Sequence, residues 1–422
     1  MSPGRREAWI TGIGVVTPIG IGVDAFRGGL RAGRSPIRRI DRFDPAAFRS
    51  QVAGQVDDFD PVAFMDPRSV RGLDRFSQFG VAAGRMALDD AQLSPGEHGH
   101  AQPDRIGIYL GSALGGIAFA EEQHERYLER GIRSVSPTLA LAVFGGAAPA
   151  NIGIALGVRG PILSTANSCA SGAVALGEAL GALRTGEVDA AIAGGVESPL
   201  SALAFGAFDI IRALANGHNE RPEVACRPFD RDRSGFVLAE GAALLVLEEA
   251  GAAQRRGATP YAVIRGYGST SDAHHMVQPR PDGSEAARAV EIALADAGDR
   301  ADDIDYVNAH ASSTPLGDIA ESRALARALG GPVRRPVSGT KALYGHPLGA
   351  TGAIEAAIAA LAIRDGWAPP SVNLVEADEE IGQLLPGLIR EPEGCAGSFR
   401  RVLSTSFGFG GLNSALVLGA AA

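Results

Sequence analysis

Three side chains capable of nucleophilic and acid–base chemistry sit at turns between apolar strands and small-residue helices. Cys169 lies in STANSCASG, where an apolar strand gives way to a helix running through ASGAVALGEALGAL. A thiol there faces unpaired backbone N–H groups and the positive end of the helix dipole, which favour the thiolate. Ala170, Ser171 and Gly172 are small enough to let a substrate approach the backbone. The motif alone leaves a buried structural cysteine equally open. Cys226 and Cys395 lie in arginine-rich loops without this setting and receive no role.

His310 closes the strand DIDYVNAH and opens the hydroxyl-rich turn ASSTP. The carboxyl end of a strand is where α/β sheets place reactive groups. His346 lies in GTKALYGHPLGATGA, again between a strand and a helix, five residues after Lys341. Either histidine alone could be a hydrogen-bonded core residue. Cys169, His310 and His346 all stand at strand–helix turns, which argues for one site. Lys341 is the sole lysine of the chain, every other basic residue being arginine. A buried ammonium is compact and can lose its proton, whereas a guanidinium is a wide fork that keeps its charge. The position that resisted arginine is therefore a candidate functional one.

Other motifs carry less. SFGFGGLNS has glycines that could cradle phosphate, but no Lys-Ser/Thr follows and no βαβ unit with a ribose acid surrounds it. It reads as a tight turn aiming backbone N–H groups into a site, with Phe409 as a movable apolar side chain. His274 and His275, near Asp272, are adjacent and lack a third ligand at workable spacing, so they read as loop residues near a site mouth rather than a metal centre.

Two series of strands must position these groups. The first runs through 10–16, 105–111, 161–165, 189–194 and 242–247; the second through 263–269, 305–309, 336–340, 401–406 and 414–418. Their near-continuous apolar character suits an α/β fold with sheets covered on both faces. Each series opens on a glycine-punctuated strand (ITGIGVVTP, IRGYGSTSD) and closes on an apolar one (GAALLVLEE, NSALVLGA). A duplicated half explains this better than two unrelated domains, giving an N-terminal half over 1–260 and a C-terminal half over 261–422, with GAAQRRGATP as connector.

Composition sets the outer limits. With 422 residues, 45% hydrophobic, the chain can bury a substantial core. Three cysteines without a C-x-x-C pair, and no secretory leader, point to a reducing cytoplasm. A net charge of −9 argues against nucleic acid as a partner. The uncharged stretch from Ser134 to Val158 is long enough to cross a bilayer, but Pro137, Pro149, Asn151 and several glycines make it a buried core helix instead.

Taken together, C-A-S-G at Cys169, N-A-H-A-S-S-T-P at His310, T-K-A-L-Y-G-H-P-L-G-A-T-G-A at His346 and S-F-G-F-G-G-L-N resemble the β-ketoacyl-acyl-carrier-protein synthases, nearest to the KAS II branch, with the ketosynthases of type II polyketide systems close by. The resemblance covers essentially the whole chain. It implies the thiolase fold, two similar halves forming a five-layer αβαβα sandwich, and a decarboxylative Claisen condensation. By the same resemblance Cys169 takes the acyl group as a thioester, and His310 and His346 donate hydrogen bonds to the malonyl thioester oxygen. Lys341 holds the histidine network with Glu355 as its partner. The N–H groups of Cys169 and Phe409 form the oxyanion hole. Phe409 also gates the acyl pocket that Leu114 lines. Ser312, and Thr314 beside it, contact the pantetheine.

The chain departs from the family pattern at Ala311, usually glycine, and at Asn167-Ser168 and Tyr344. These bear on substrate rather than reaction. Cys169 separates it from the non-catalytic chain-length factors, the cysteine-free C-terminal loop from degradative thiolases, and His346 from starter enzymes with Asn there.

The resemblance also implies partners. No cofactor of the enzyme's own is needed, because phosphopantetheine arrives on an acyl carrier protein. The assembly is a homodimer, or a heterodimer with a chain-length factor, with neither nucleic acid nor membrane involved. For docking the acidic carrier, Arg68, Arg71 and Arg75 fall at i, i+3 and i+7 in MDPRSVRGLDRFSQFG and would share one helix face. Arg212 lies in a second segment resembling a docking surface.

Overall fold

The computed structural model describes residues 6–96 and 99–421. Ten strands form its frame: β1 Ala8–Thr17, β2 Ile106–Gly111, β3 Ile162–Thr165, β4 Ala190–Glu197, β5 Gly241–Glu249, β6 Ala262–Ser271, β7 Tyr306–Ala309, β8 Val337–Gly339, β9 Arg401–Gly408 and β10 Leu412–Gly419. Starting from β1, the first half has the order β1-β5-β4-β2-β3; starting from β6, the second has β6-β10-β9-β7-β8. In each half the first two pairings are antiparallel and the last two parallel. The same path is thus drawn twice, and the copies meet where β1 pairs antiparallel with β6 over Ala8↔Ile264, Trp9↔Val263 and Ile10↔Ala262.

The glycine punctuation has a packing cause. A Cβ on Gly12 or Gly14 would lie 2.2 and 1.9 Å from the carbonyl oxygens of Ala87 and Ala83, in helix α1 Arg75–Asp90. A Cβ on Gly266 or Gly268 would meet Ala293 O at 2.2 Å and Ala289 O at 2.1 Å, in Ser284–Ala297. Each half therefore seats a helix directly on its first strand, which only glycine permits.

The remaining helices that matter here are α2 Ile117–Arg130, α3 Ala147–Leu156, α4 Ser171–Thr185, α5 Ala202–Ile210, α6 Ser284–Ala297, α7 Pro315–Ala328 and α8 Thr351–Asp365. Helices α1 and α3 cover the outer face of the first half, α6 and α7 that of the second, and α4 and α8 lie between the two. From Thr351 through Ala362, α8 is buried on every side, as its run of Ala, Ile and Leu requires. This makes five layers, αβαβα.

Two expectations are corrected. The stretch Ser134–Val158 is not one buried helix: it breaks at Gly145–Gly146 into Leu139–Ala142 and α3, and Leu141, Phe144 and Ile154 are exposed. No helix among the described residues is long and apolar enough to cross a membrane. Nor do Arg68, Arg71 and Arg75 share one helix face. Pro67–Val70 is a single turn ending at Arg71, and α1 begins afresh at Arg75, with Asp74 accepting the Ser77 N–H as its cap. Arg75 turns inward, its Nε 2.8 Å from Oε2 of the buried Glu240.

Candidate active site

The turns that follow the third strand of each half bring Cys169 and His346 together, and His310 arrives from the turn after β7. Cys169 sits in the 3₁₀ turn Ser168–Ala170 ahead of α4. Ser168 adopts φ +53°, and the Ser171 hydroxyl pins the bend by accepting the Asn167 N–H at 2.8 Å and donating to Ser168 O at 2.7 Å. The sulfur lies 3.1 Å from Nε2 of His346, whose Nδ1 is 2.9 Å from the Thr351 hydroxyl. The rings of His310 and His346 meet edge to face at 5.3 Å, and Phe236 backs His346 at 5.2 Å.

Lys341 is fully buried, in the 3₁₀ turn that follows β8. Its Nζ donates to Glu355 Oε1 at 2.5 Å and to the carbonyl oxygen of His310, and stands 3.3 Å from His310 Nδ1. A second carboxylate, Glu321 on α7, accepts the N–H groups of His310 at 2.7 Å and Ala311 at 2.6 Å, and the Thr405 hydroxyl at 2.7 Å. His310 is thereby fixed from both sides.

Burial sets the protonation states. Desolvation, with Lys341 adding to it, holds both His310 and His346 well below the usual histidine range, so both are neutral donors at physiological pH. The same burial pushes the Cys169 thiol up to about 11, against the opposing pull of Ser168, Lys341 and the Phe409 N–H. The helix terminus that favours the thiolate is present, but the cost of a buried anion exceeds its contribution. Burial also raises Glu355, to about 8, with Lys341 pulling the other way.

The other sequence-derived residues fall around this centre. Phe409 follows β9, its N–H directed at the sulfur and its ring stacked on Phe208 at 6.3 Å. Leu114 packs in one apolar cluster with Cys169, Phe205, Leu348 and Phe409. A cavity of about 330 Å³ leads to Cys169, lined by Ser312, Thr314 and Asp272, with the exposed Arg212 on its wall. Thr314 also caps α7, accepting the Gly317 N–H at 3.1 Å. His275 folds onto its own loop, Nδ1 accepting from Val277 N–H at 3.0 Å, beside that cavity. Arg68 and Arg71 are exposed. Cys226 is buried, and Cys395 lies in a short strand rather than a loop. Among the described residues the one group of side chains close enough to hold a metal is Cys169, His310 and His346 themselves. Sequence reading missed Glu321, Thr351 and Phe236; a carboxylate eleven residues beyond His310, in the helix that follows its turn, was the available signal for the first.

A duplicated five-layer sandwich with a thiol and a neutral imidazole after corresponding strands, and a second neutral imidazole beside them, is a thiolase fold built for carbon–carbon bond formation. Residues 6–253 match the model "Beta-ketoacyl synthase, N-terminal domain" and residues 261–375 "Beta-ketoacyl synthase, C-terminal domain". The chain belongs to the beta-ketoacyl synthase family. It is 39% identical over 416 residues to 3-oxoacyl-[acyl-carrier-protein] synthase 2 of Vibrio cholerae, covering 98% of this chain and 99% of that one. The Staphylococcus aureus protein of the same name is 38% identical over 419 residues, covering 99% of each chain. Among solved structures, the ishigamide ketosynthase/chain length factor superposes with TM-score 0.91 at 34% identity, covering 99% of this chain and 100% of the other. A beta-ketoacyl synthase from Burkholderia phymatum does so with 0.90 at 35%, with the same coverage.

Proposed function

We propose that this protein is a 3-oxoacyl-carrier-protein synthase that extends an acyl chain by decarboxylative Claisen condensation. The observation that carries the reading is the pairing of a desolvated thiol, 3.1 Å from one neutral imidazole, with a second neutral imidazole held by Lys341. Cys169 sulfur attacks the acyl thioester; a C–S bond forms, the carrier's thiolate leaves, and the proton of Cys169 passes to it. The Cys169 and Phe409 N–H groups stabilise the oxyanion. Malonyl carrier then loses its carboxyl group as CO2, and the electron pair rests on the thioester oxygen as an enolate. His346, its Nδ1 accepting from Thr351, and His310, its Nδ1 toward Lys341, both turn a protonated Nε2 to that oxygen. The carbanion attacks the acyl–Cys169 carbonyl, a C–C bond forms as the C–S bond breaks, and the sulfur leaves as a thiolate that takes its proton from solvent. Arginine would not replace Lys341, whose single Nζ meets a carboxylate and a carbonyl in a sealed space.

The acyl donor is carried by an acyl carrier protein, as the names of the relatives suggest for them, and docks where Arg212 borders the cavity, with Arg68 and Arg71 contributing charge. Self-association is the second part of the proposal. β3 is an edge strand with Ile162 and Leu163 exposed, and Leu141, Phe144 and Ile154 on the adjoining segment are exposed too. An apolar edge strand of this kind is a template for pairing with another chain. We assign a homodimer; the likeness to a ketosynthase/chain length factor pair makes a heterodimer the second reading, and native mass, alone and with a co-expressed partner, separates the two.

The test of the chemistry divides the half-reactions. His310→Ala and His346→Ala should still acquire an acyl mass on Cys169 when incubated with acyl carrier. Decarboxylation of malonyl carrier should fall about 10²–10³-fold, the cost of losing one preorganised donor. Equal loss of both half-reactions in both variants, or acyl mass on Cys226 or Cys395, contradicts the assignment.

A further inference from the structure

At the end of β4 stands a carboxylate that bonds to none of Cys169, His310 and His346. Glu197 is 0% exposed, and among the described residues no hydrogen bond or ion pair joins it to a cation. Its Oε2 accepts the N–H of Ala113 at 2.7 Å and of Gly349 at 3.0 Å, and its Oε1 the N–H of Leu114 and the hydroxyl of Ser112, both at 3.1 Å. These donors come from two different loops. One follows β2 and carries Leu114. The other leads from His346 into α8 through Leu348, at φ +32°, and Gly349. The loops touch at this point: a Cβ on Gly349 would lie 2.5 Å from the Ala113 nitrogen and 2.8 Å from Glu197 Oε2. Leu348, Leu114 and Cys169 belong to one apolar cluster.

The second half has a parallel. There Glu321 holds the loop after β7 by the N–H groups of His310 and Ala311, as Glu197 holds the corresponding loop after β2. Only Glu197 also reaches across to the other half's histidine turn. We propose that Glu197 is a positioning residue for the condensation, locking the Leu114 wall of the acyl pocket to the turn that fixes His346 against Cys169. The inference rests on the reaction assigned above, which wild-type turnover tests separately.

Glutamine is the informative replacement. Turned one way, its NH2 meets the N–H groups of Ala113 and Gly349; turned the other, it meets the N–H of Leu114, the Ser112 hydroxyl being free to rotate and accept, so at least one hydrogen bond becomes a donor–donor clash. A displacement of about 1 Å at a reacting group costs about 10²-fold in rate, so kcat/KM for condensation should fall by about that factor in Glu197→Gln, and the preference among acyl chain lengths should flatten. A second readout distinguishes positioning from mere support. The negative charge of Glu197 opposes ionisation of Cys169, so its removal should shift the pH profile of Cys169 alkylation downward. Of the other carboxylates on the surrounding elements, Glu248 pairs with Arg256 and Glu355 with Lys341, Glu240 lies beyond Ser198 and is held by Arg75, and Asp74 caps α1; none changes in the variant. Ser112→Ala, which removes one donor of four, should give the same flattening to a smaller degree, and decides the matter if Glu197→Gln fails to fold. Wild-type chain-length preference with an unshifted alkylation profile in Glu197→Gln, or wild-type preference in Ser112→Ala, overturns the proposal.

Discussion

Lys341 grips His310 at two points, donating to its carbonyl oxygen and standing 3.3 Å from its Nδ1, while Glu355 takes a third direction of the same ammonium at 2.5 Å. The lysine therefore fixes both the backbone and the ring of the histidine. Lys341→Arg keeps the charge but brings a planar fork into a fully buried site shaped for one tetrahedral head. Condensation should fall by about 10²-fold or more, with the far-ultraviolet circular dichroism unchanged. Near-normal turnover would make the sole lysine an accident of composition.

Much of this was legible in the chain. The two strand series, their repeated glycine pairs and the turns bearing Cys169, His310 and His346 follow from local pattern, since each element's apolar run and small-residue helix are contiguous in sequence. What was not legible depended on tertiary burial. The thiol's upward shift arises from burial among side chains brought from other parts of the chain, Leu114, Phe205 and Leu348 among them, which outweighs the local helix terminus. Arg75 looked like a surface residue because its partner, Glu240, is 165 residues distant. The exposed apolar side chains around β3 read as core because sequence hydropathy does not distinguish a protein interior from an exposed apolar surface.

The thiol gives a pH prediction with a definite sign. The reactive form is the thiolate, and a value raised to about 11 leaves it a small fraction at neutrality. Alkylation of Cys169 by iodoacetamide should therefore climb about tenfold per pH unit from about pH 7 to about pH 10 without levelling off. A plateau reached near pH 6 would mean that the helix terminus and Lys341 outweigh burial after all.

Ala311 tests the turn beside His310. It stands where the family usually has glycine, at φ +42° and 0% exposed, with its Cβ near Gly339. In Ala311→Gly, relief of about 1–2 kcal/mol of left-handed strain is offset by roughly 0.5–1 kcal/mol of chain entropy and about 0.8 kcal/mol for the lost buried methyl. Stability in urea should stay within about 1 kcal/mol of the parent. Ala311→Val adds β-branching and bulk against Gly339 and should cost about 3 kcal/mol. A valine variant as stable as the parent would show that the turn is free to relax.

Arg68 and Arg71 differ from Arg75 in what they face. Arg68 and Arg71 are exposed and form no ion pair among the described residues, whereas Arg75 serves the buried Glu240 through Nε at 2.8 Å and Nη2 at 2.9 Å, with Arg42 as the other cation at 3.0 Å. Exposed rim charges act chiefly on association rate and lose their effect as salt rises. Arg68→Glu/Arg71→Glu, and Arg212→Glu on the cavity wall, should raise KM for acyl carrier at low ionic strength. They should leave kcat for a small thioester unchanged. Arg75→Ala should behave in the opposite way: stability falls by about 2 kcal/mol, because a buried carboxylate loses two charged hydrogen bonds and keeps one cation, and carrier KM stays near the parent value. If Arg75→Ala raises carrier KM at unchanged stability, the inward-turned guanidinium is not its working position. If the double reversal leaves carrier kinetics untouched across the salt range, the carrier docks elsewhere.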